Sequence, residues 1–223
     1  MKKILVVLAL ASFLFTSCLT LNNSGKTKAQ MYTQMYEERP LTIIIMNPVN
    51  KTTVTEAGNF FYTTLHEPLA EAGYYVLPPF ITQNVLKTEG RDDSSKIKNS
   101  DLKLFADRYG TDAAFFTTIT KWEKSVLLQE VRITVEYTMV STRSGKVLFH
   151  RYSEYVDDKQ DTSSFKFFDV LFDAIDTAVT KEIDVARRCN FYSLQDIPVG
   201  KYHPQYKTDG EAEALKEKII LKK

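Results

Sequence analysis

The chain has 223 residues, with 29 Lys and Arg against 28 Asp and Glu, three histidines and two cysteines. That length suits one sizeable domain, the near-neutral charge lacks the basic excess that phosphate neutralisation needs, and two cysteines cannot build a disulfide scaffold. Nucleic acid is excluded as a partner, and stability must come from an apolar core.

Met1-Lys2-Lys3 is a basic start, Ile4 to Phe15 an apolar run of 12 residues, and Thr16-Ser17-Cys18 closes it with small residues before a cysteine. The run is shorter than the ~20 residues a bilayer span requires. The pattern is that of a lipoprotein signal, 1–17, with lipid on Cys18 and a membrane as the first partner. Phe15 stands where leucine is usual. Cys189 then has no disulfide partner. Residues 18–39 are polar and uneven, with Asn22-Asn23-Ser24-Gly25 near the start, and are expected to form a tether of up to about 70 Å if fully extended, with one helical turn near Met31 to Tyr36. Gly25-Lys26-Thr27 copies the end of a phosphate-binding loop, but Thr20 replaces its first glycine and no strand precedes it.

The expected α/β domain occupies 40–191. Leu41 to Met46, rich in β-branched residues, is predicted as a strand covered on both faces. Thr53 and Glu56 form a possible capping box for a helix whose stripe runs through Ala57, Phe60, Phe61, Leu65 and Leu69 to Gly73, with Pro68 inside it. Tyr74 to Pro78 follows as a second strand, which completes a right-handed β-α-β unit. A short helix over Ile81 to Thr88 and another from Ser100 to Gly110 lead to a central strand, Asp112 to Trp122. Val131 to Met139 alternates with period two, Ser144-Gly145 marks a turn, and Val147 to Val156 returns. A long helix from Phe165 to Ala186 lies across the sheet, with Asp169, Asp173 and Asp176 towards its start and Arg187 and Arg188 at its end. Residues 192–223 are expected to form a strap, then a charged helix over Glu211 to Ile220 and a mobile end. The predicted fold is a single α/β domain with a mixed sheet of about five strands, an opening β-α-β unit and a long C-terminal helix packed on the sheet.

No motif assigns catalysis, a metal or a cofactor. No glycine lies within four residues of another, so dinucleotide fingerprints and nucleophile elbows cannot occur. His66-Glu67 begins like a zinc-protease helix, but Ala70 stands where the second histidine belongs. Cys189 near the end of an apolar helix suits a small core residue. The aromatic residues whose polar atoms need an outlet, Tyr62, Tyr74 and Trp122, are the candidates for a partner-binding surface, weighed against a packing role.

Phe60 to Pro78, Gly110-Thr111-Asp112-Ala113-Ala114 with Trp122 downstream, Ser144 to Leu148, and Tyr202-His203-Pro204 resemble, in that order, the signature blocks of a bacterial lipoprotein family of unknown function. The resemblance runs from Pro40 to Tyr206. It implies a core similar to the amino-terminal domain of TolB and to CsgG-type envelope lipoproteins, and a place in envelope transport complexes. It implies no catalytic residues. The expected function is therefore that of a non-enzymatic accessory subunit of an envelope transport or assembly complex, anchored to the outer membrane and facing the periplasm. Envelope proteins, a CsgG-like lipoprotein among them, are the implied partners. The alternatives are a periplasmic activator of a cell-wall synthase, and a hydrolase or small-ligand binder with an unrecognised pocket.

Overall fold

A computed structural model of the chain describes residues 22–125, 127–128, 130–158 and 178–223. Cys18 and the start of the expected long helix lie outside the described residues. Strand β1 (Asn23–Thr27) leads into two short helices, α1 (Lys28–Met31) and α2 (Thr33–Glu38). Then follow β2 (Thr42–Ile45), β3 (Val49–Asn50), α3 (Ala57–Glu71), β4 (Tyr75–Val76), α4 (Pro79–Thr88) and α5 (Asn99–Tyr109). Three long strands come next, β5 (Ala113–Ser125), β6 (Glu130–Ser141) and β7 (Val147–Asp158), and then α6 (Ala178–Leu194), β8 (Glu213–Leu215) and β9 (Lys218–Lys222).

The main sheet has the order β4-β2-β5-β6-β7-β9, with β3 also paired to β5. Pairing of β2 with β4 and β5 is parallel, β5-β6-β7 is an antiparallel meander, and β9 runs parallel to β7. The β-α-β unit and the mixed sheet stand as the sequence predicts. Two strands the sequence reading lacks, β3 and β9, widen the sheet.

Alternation along β2 explains why it carries no polar face. Ile43 and Ile45 join the larger core cluster with Phe61, Leu65, Phe115, Tyr137 and Cys189, which α3 and α6 cover. Ile44 and Met46 point the other way, into a smaller cluster with Leu86, Leu102, Phe105 and Ala114, roofed by α4 and α5. A strand buried on both faces needs a near-continuous apolar run, and Ile43-Ile44-Ile45-Met46 supplies it.

Several local expectations are corrected. The capping box does not form: α3 begins at Ala57 after Glu56, with no side-chain cap. Instead Asn50 organises the turn, its Oδ1 accepting from Thr52 N at 3.0 Å and its Nδ2 donating to Val54 O at 2.8 Å. Such a side-chain-held turn offers the backbone before the helix an alternative to a cap. Residues 22–39, expected as a tether, belong to the fold. Strand β1 pairs antiparallel with β8, and Tyr32 and Met35 are buried in the larger cluster. The expected charged helix over Glu211 to Ile220 is replaced by β8 and β9. Ile219 and Leu221 point inward while Lys218, Ile220 and Lys222 point out, a period-two pattern that an open sheet edge can use and a helix cannot.

The strap after α6 runs against the C-terminal end of α3. Gly200 N donates to Ala72 O at 2.7 Å and Tyr202 N to Gly73 O at 3.0 Å. A side chain on Gly73 would strike the His203 backbone, and one on Gly200 would strike Gly73 itself. Both glycines are required by this close approach.

Candidate partner-binding site

All three aromatic residues singled out from the sequence are buried: Tyr62, Tyr74 and Trp122 belong to the larger core cluster. This corrects their expected role as surface anchors. Trp122 packs between Phe60 and Phe61, with ring centroids 6.1 Å away in each case, and its Nε1 makes no hydrogen bond among the described residues. The polar tips of the two tyrosines are satisfied internally. Tyr74 OH donates to Pro198 O, which fixes the strap, and burial raises its pKa well above the ordinary value. Tyr62 OH donates to Pro79 O at 2.7 Å, and burial pushes its pKa up to about 12.

That last bond has a consequence at the surface. Pro79 is the first residue of α4, so Tyr62 on α3 fixes the point where α4 starts. Directly after it stand Phe80, 77% exposed, and Ile81, 59% exposed, and on the adjacent edge strand Tyr75 is 52% exposed. Phe80 and Ile81 precede the buried stripe of α4, in which Thr82 and Leu86 face the core. Tyr75 lies on β4, the terminal strand of the main sheet, and Phe80 and Ile81 follow shortly after it.

Edge pairing does not account for this surface. Tyr75 N donates to Leu41 O and Leu77 N to Ile43 O, each at 2.9 Å, so in a parallel ladder the Val76 groups point away from β2. One residue with outward backbone groups is a poor template for another strand. Recognition at this edge falls to the side chains. Three large exposed apolar side chains within seven residues of one another at a sheet edge are what an interaction site would present.

Groups that could carry chemistry lie elsewhere and are engaged in structure. Cys189 is buried, and burial pushes its thiol up to about 12, so it is protonated at neutral pH and no nucleophile. His203 Nδ1 accepts from Gln205 N at 3.1 Å within the strap. His150 stands between Glu136 and Glu217 on strand β7. Among the described residues no three His, Cys, Asp or Glu side chains are placed to hold a metal ion. A cavity of about 220 Å³ between Tyr36, Tyr74, Tyr206 and Asp209 is smaller than the ~300 Å³ at which small-molecule pockets begin. No helix among the described residues is long and apolar enough to cross a membrane.

Residues 30–191 match the family model described as "Putative lipoprotein GNA1162-like". The chain belongs to the GNA1162-like lipoprotein family. A lipoprotein NMB1124/NMB1162 of Neisseria meningitidis serogroup B (strain ATCC BAA-335 / MC58) is 26% identical over 120 residues, 53% of this chain and 56% of that protein. The chain thus spans about half the length of this curated relative. The crystal structure of lipoprotein GNA1162 from Neisseria meningitidis superposes with a TM-score of 0.50 at 22% identity, covering 65% of this chain and 99% of that one. It shares the fold. The LpoB C-terminal domain from Escherichia coli covers 56% of this chain and 93% of its own, at 13% identity and a TM-score of 0.39, too low to carry an argument. A GNA1162-like protein is a lipoprotein of the bacterial envelope, and nothing in this family assignment indicates catalysis.

Strand parity in the sequence sets Tyr74 and Tyr75 on opposite faces but does not say which of them is exposed. Phe80 and Ile81 precede the buried positions of an amphipathic helix, and nothing local says whether a further element covers them.

Proposed function

We propose that this GNA1162-like lipoprotein is a non-catalytic accessory subunit of an envelope transport or assembly complex. Lipid on Cys18 holds it to a membrane, and it grips a protein partner through Tyr75, Phe80 and Ile81. The outer membrane, with the domain facing the periplasm, is part of the same proposal and rests on the resemblance described above.

The observation that carries this reading is the opposition of two sheet edges. Asn22, four residues after Cys18, is hydrogen-bonded to Ile220 on β9, which ends one side of the sheet. The apolar group lies on β4 and shortly after it, on the other side. Five inter-strand steps at ~4.8 Å separate the edges by about 24 Å. A lipid anchor at one edge leaves the other free for a protein, and lipid is a poor candidate for covering a surface directed away from the anchor.

Site-specific photo-crosslinking in cells tests the proposal. A photoreactive residue at Phe80 or Ile81 of the full chain is expected to give one discrete protein adduct, absent from a probe at Glu136 on the β6 strand. The Phe80→Ser/Ile81→Ser variant should lose the partner while its thermal midpoint stays nearly unchanged. Trp122→Ala should instead lower the midpoint sharply, because truncating a buried aromatic costs about 3–5 kcal/mol. Adducts that are absent or scattered at both Phe80 and Ile81 would remove the basis for this surface.

A further inference from the structure

We infer that the hairpin tip between β5 and β6 is a second membrane contact, with Leu127 and Leu128 entering the lipid surface beside the anchor. This rests on the lipidation of Cys18 in the proposal above. Leu127 is 92% exposed and Leu128 59% exposed, the former more than any other large hydrophobic side chain described. Two adjacent leucines on a turn at the end of a long hairpin are left uncovered by the described residues.

What identifies the occupant is the length of the leash. Four residues lead from Cys18 to Asn22 and, at ~3.5 Å each, can span no more than about 14 Å. Asn22 is fastened to the sheet: its Nδ2 donates to Ile220 O at 2.9 Å, its Oδ1 accepts from Ile220 N at 3.2 Å, and its carbonyl accepts from Lys216 N at 2.6 Å. Ile220 lies in register with Glu154, Thr134 and Lys121 across β7, β6 and β5. The hairpin ends four residues further along, at the Ser125–Glu130–Asp158 row. Four strand residues at ~3.4 Å make about 14 Å. With the strands upright on the bilayer, a leash of no more than about 14 Å reaches no further than the drop to the hairpin end, so an anchor on Cys18 brings the two leucines to the lipid surface.

Charge does not explain the contact. At this end of the sheet Lys124 pairs with Glu182, Arg132 with Glu130, and Arg188 with Asp157. These three cations are matched, and the two leucines themselves are apolar, so the contact inferred is an apolar one.

The test uses the full chain, lipidated in bacteria and reconstituted into phosphatidylcholine vesicles. A Leu127→Cys variant takes an environment-sensitive fluorophore selectively, because the Cys18 sulfur is acylated and Cys189 is buried with its pKa raised. A Phe80→Cys variant serves as the control at the far edge. Expected on vesicles are a blue shift and quenching by nitroxide-labelled acyl chains at position 127, with neither at position 80. Mass spectrometry and flotation report the anchor separately. A chain that floats and carries acyl groups but keeps the 127 probe in water overturns the tip contact and leaves the anchor standing. A chain without acyl groups that fails to float overturns both. A blue shift already present without vesicles shows that another part of the chain covers the tip, and one that requires phosphatidylglycerol shows headgroup binding. Either result overturns the inference.

Discussion

His150 sits between two carboxylates, its Nε2 2.9 Å from Glu136 Oε1 and its Nδ1 hydrogen-bonded to Glu217. Burial by itself would lower the imidazole pKa, but the hydrogen bonds to Glu136 and Glu217 and their charges outweigh it and raise the value above the ordinary 6.5. Because the folded value lies above the unfolded one, the stabilisation is complete below pH 6.5 and is lost as pH rises through the folded pKa. Thermal midpoints measured from pH 5.5 to 8.5 should therefore fall at the upper end by more in the native chain than in His150→Gln. Equal slopes in the two proteins would mean that the histidine titrates as it does in the unfolded chain. This site crosses β6, β7 and the turn before β9, so the sequence could not join its three members. Tyr74 and Tyr75 show the same limit at closer range. Alternation makes one face inward, but a strand of two residues is too short for the pattern to say which.

Long periodic elements were legible because many residues vote for the same answer. Each of β5, β6 and β7 has 12 or more residues, and their alternation survives a bulge between Ile119 and Lys121. Short elements at the chain ends were legible only in part: the helical turn expected near Met31 to Tyr36 is present, but its place in the core was not foreseen. Met31, Tyr32, Met35 and Tyr36 are spaced as a helical stripe, but α1 has 4 residues and α2 has 6, below the length at which helix propensity alone sustains a helix. Their order comes from burial against Phe149, whose ring centroid is 5.1 Å from that of Tyr32. The end of the chain misled for a related reason: the charged run after Glu211 favours helix locally, and an open edge of β7 available to β9 overrides that preference. A chain starting at Arg39 is accordingly expected to lose cooperative unfolding, since it lacks β1, α1 and α2 and uncovers β8. Circular dichroism during heating checks this, and a sharp transition at the full-length midpoint would return residues 22–38 to the status of a tether.

At the scale of the whole molecule, one buried ion pair joins the chain ends to the centre. Arg151 on β7 is fully buried, with Nη2 2.8 Å from Asp196 Oδ1, 3.1 Å from Asp196 Oδ2 and 2.5 Å from Tyr32 OH. Asp196 Oδ2 also accepts from Leu215 N at 2.8 Å, and Arg151 Nη1 donates to Ser193 O at 3.3 Å. One guanidinium and one carboxylate thus tie the junction of α1 and α2, β7, the end of α6 and β8 together. The family match ends at residue 191, so Asp196 and Leu215 complete this core from outside the matched region. Removing one member of a buried pair leaves the other charged and unpaired, at a cost of about 3–5 kcal/mol, whereas neutralising both removes much of that penalty. Arg151→Met should therefore lower the denaturant midpoint strongly, and adding Asp196→Asn should recover part of the loss, because Asn keeps an oxygen for the Leu215 N–H. Each variant should unfold in a single transition, because the pair belongs to the core that all these elements share. A double variant as unstable as the sum of its single changes would show no coupling, and the ends would then be held by apolar packing alone.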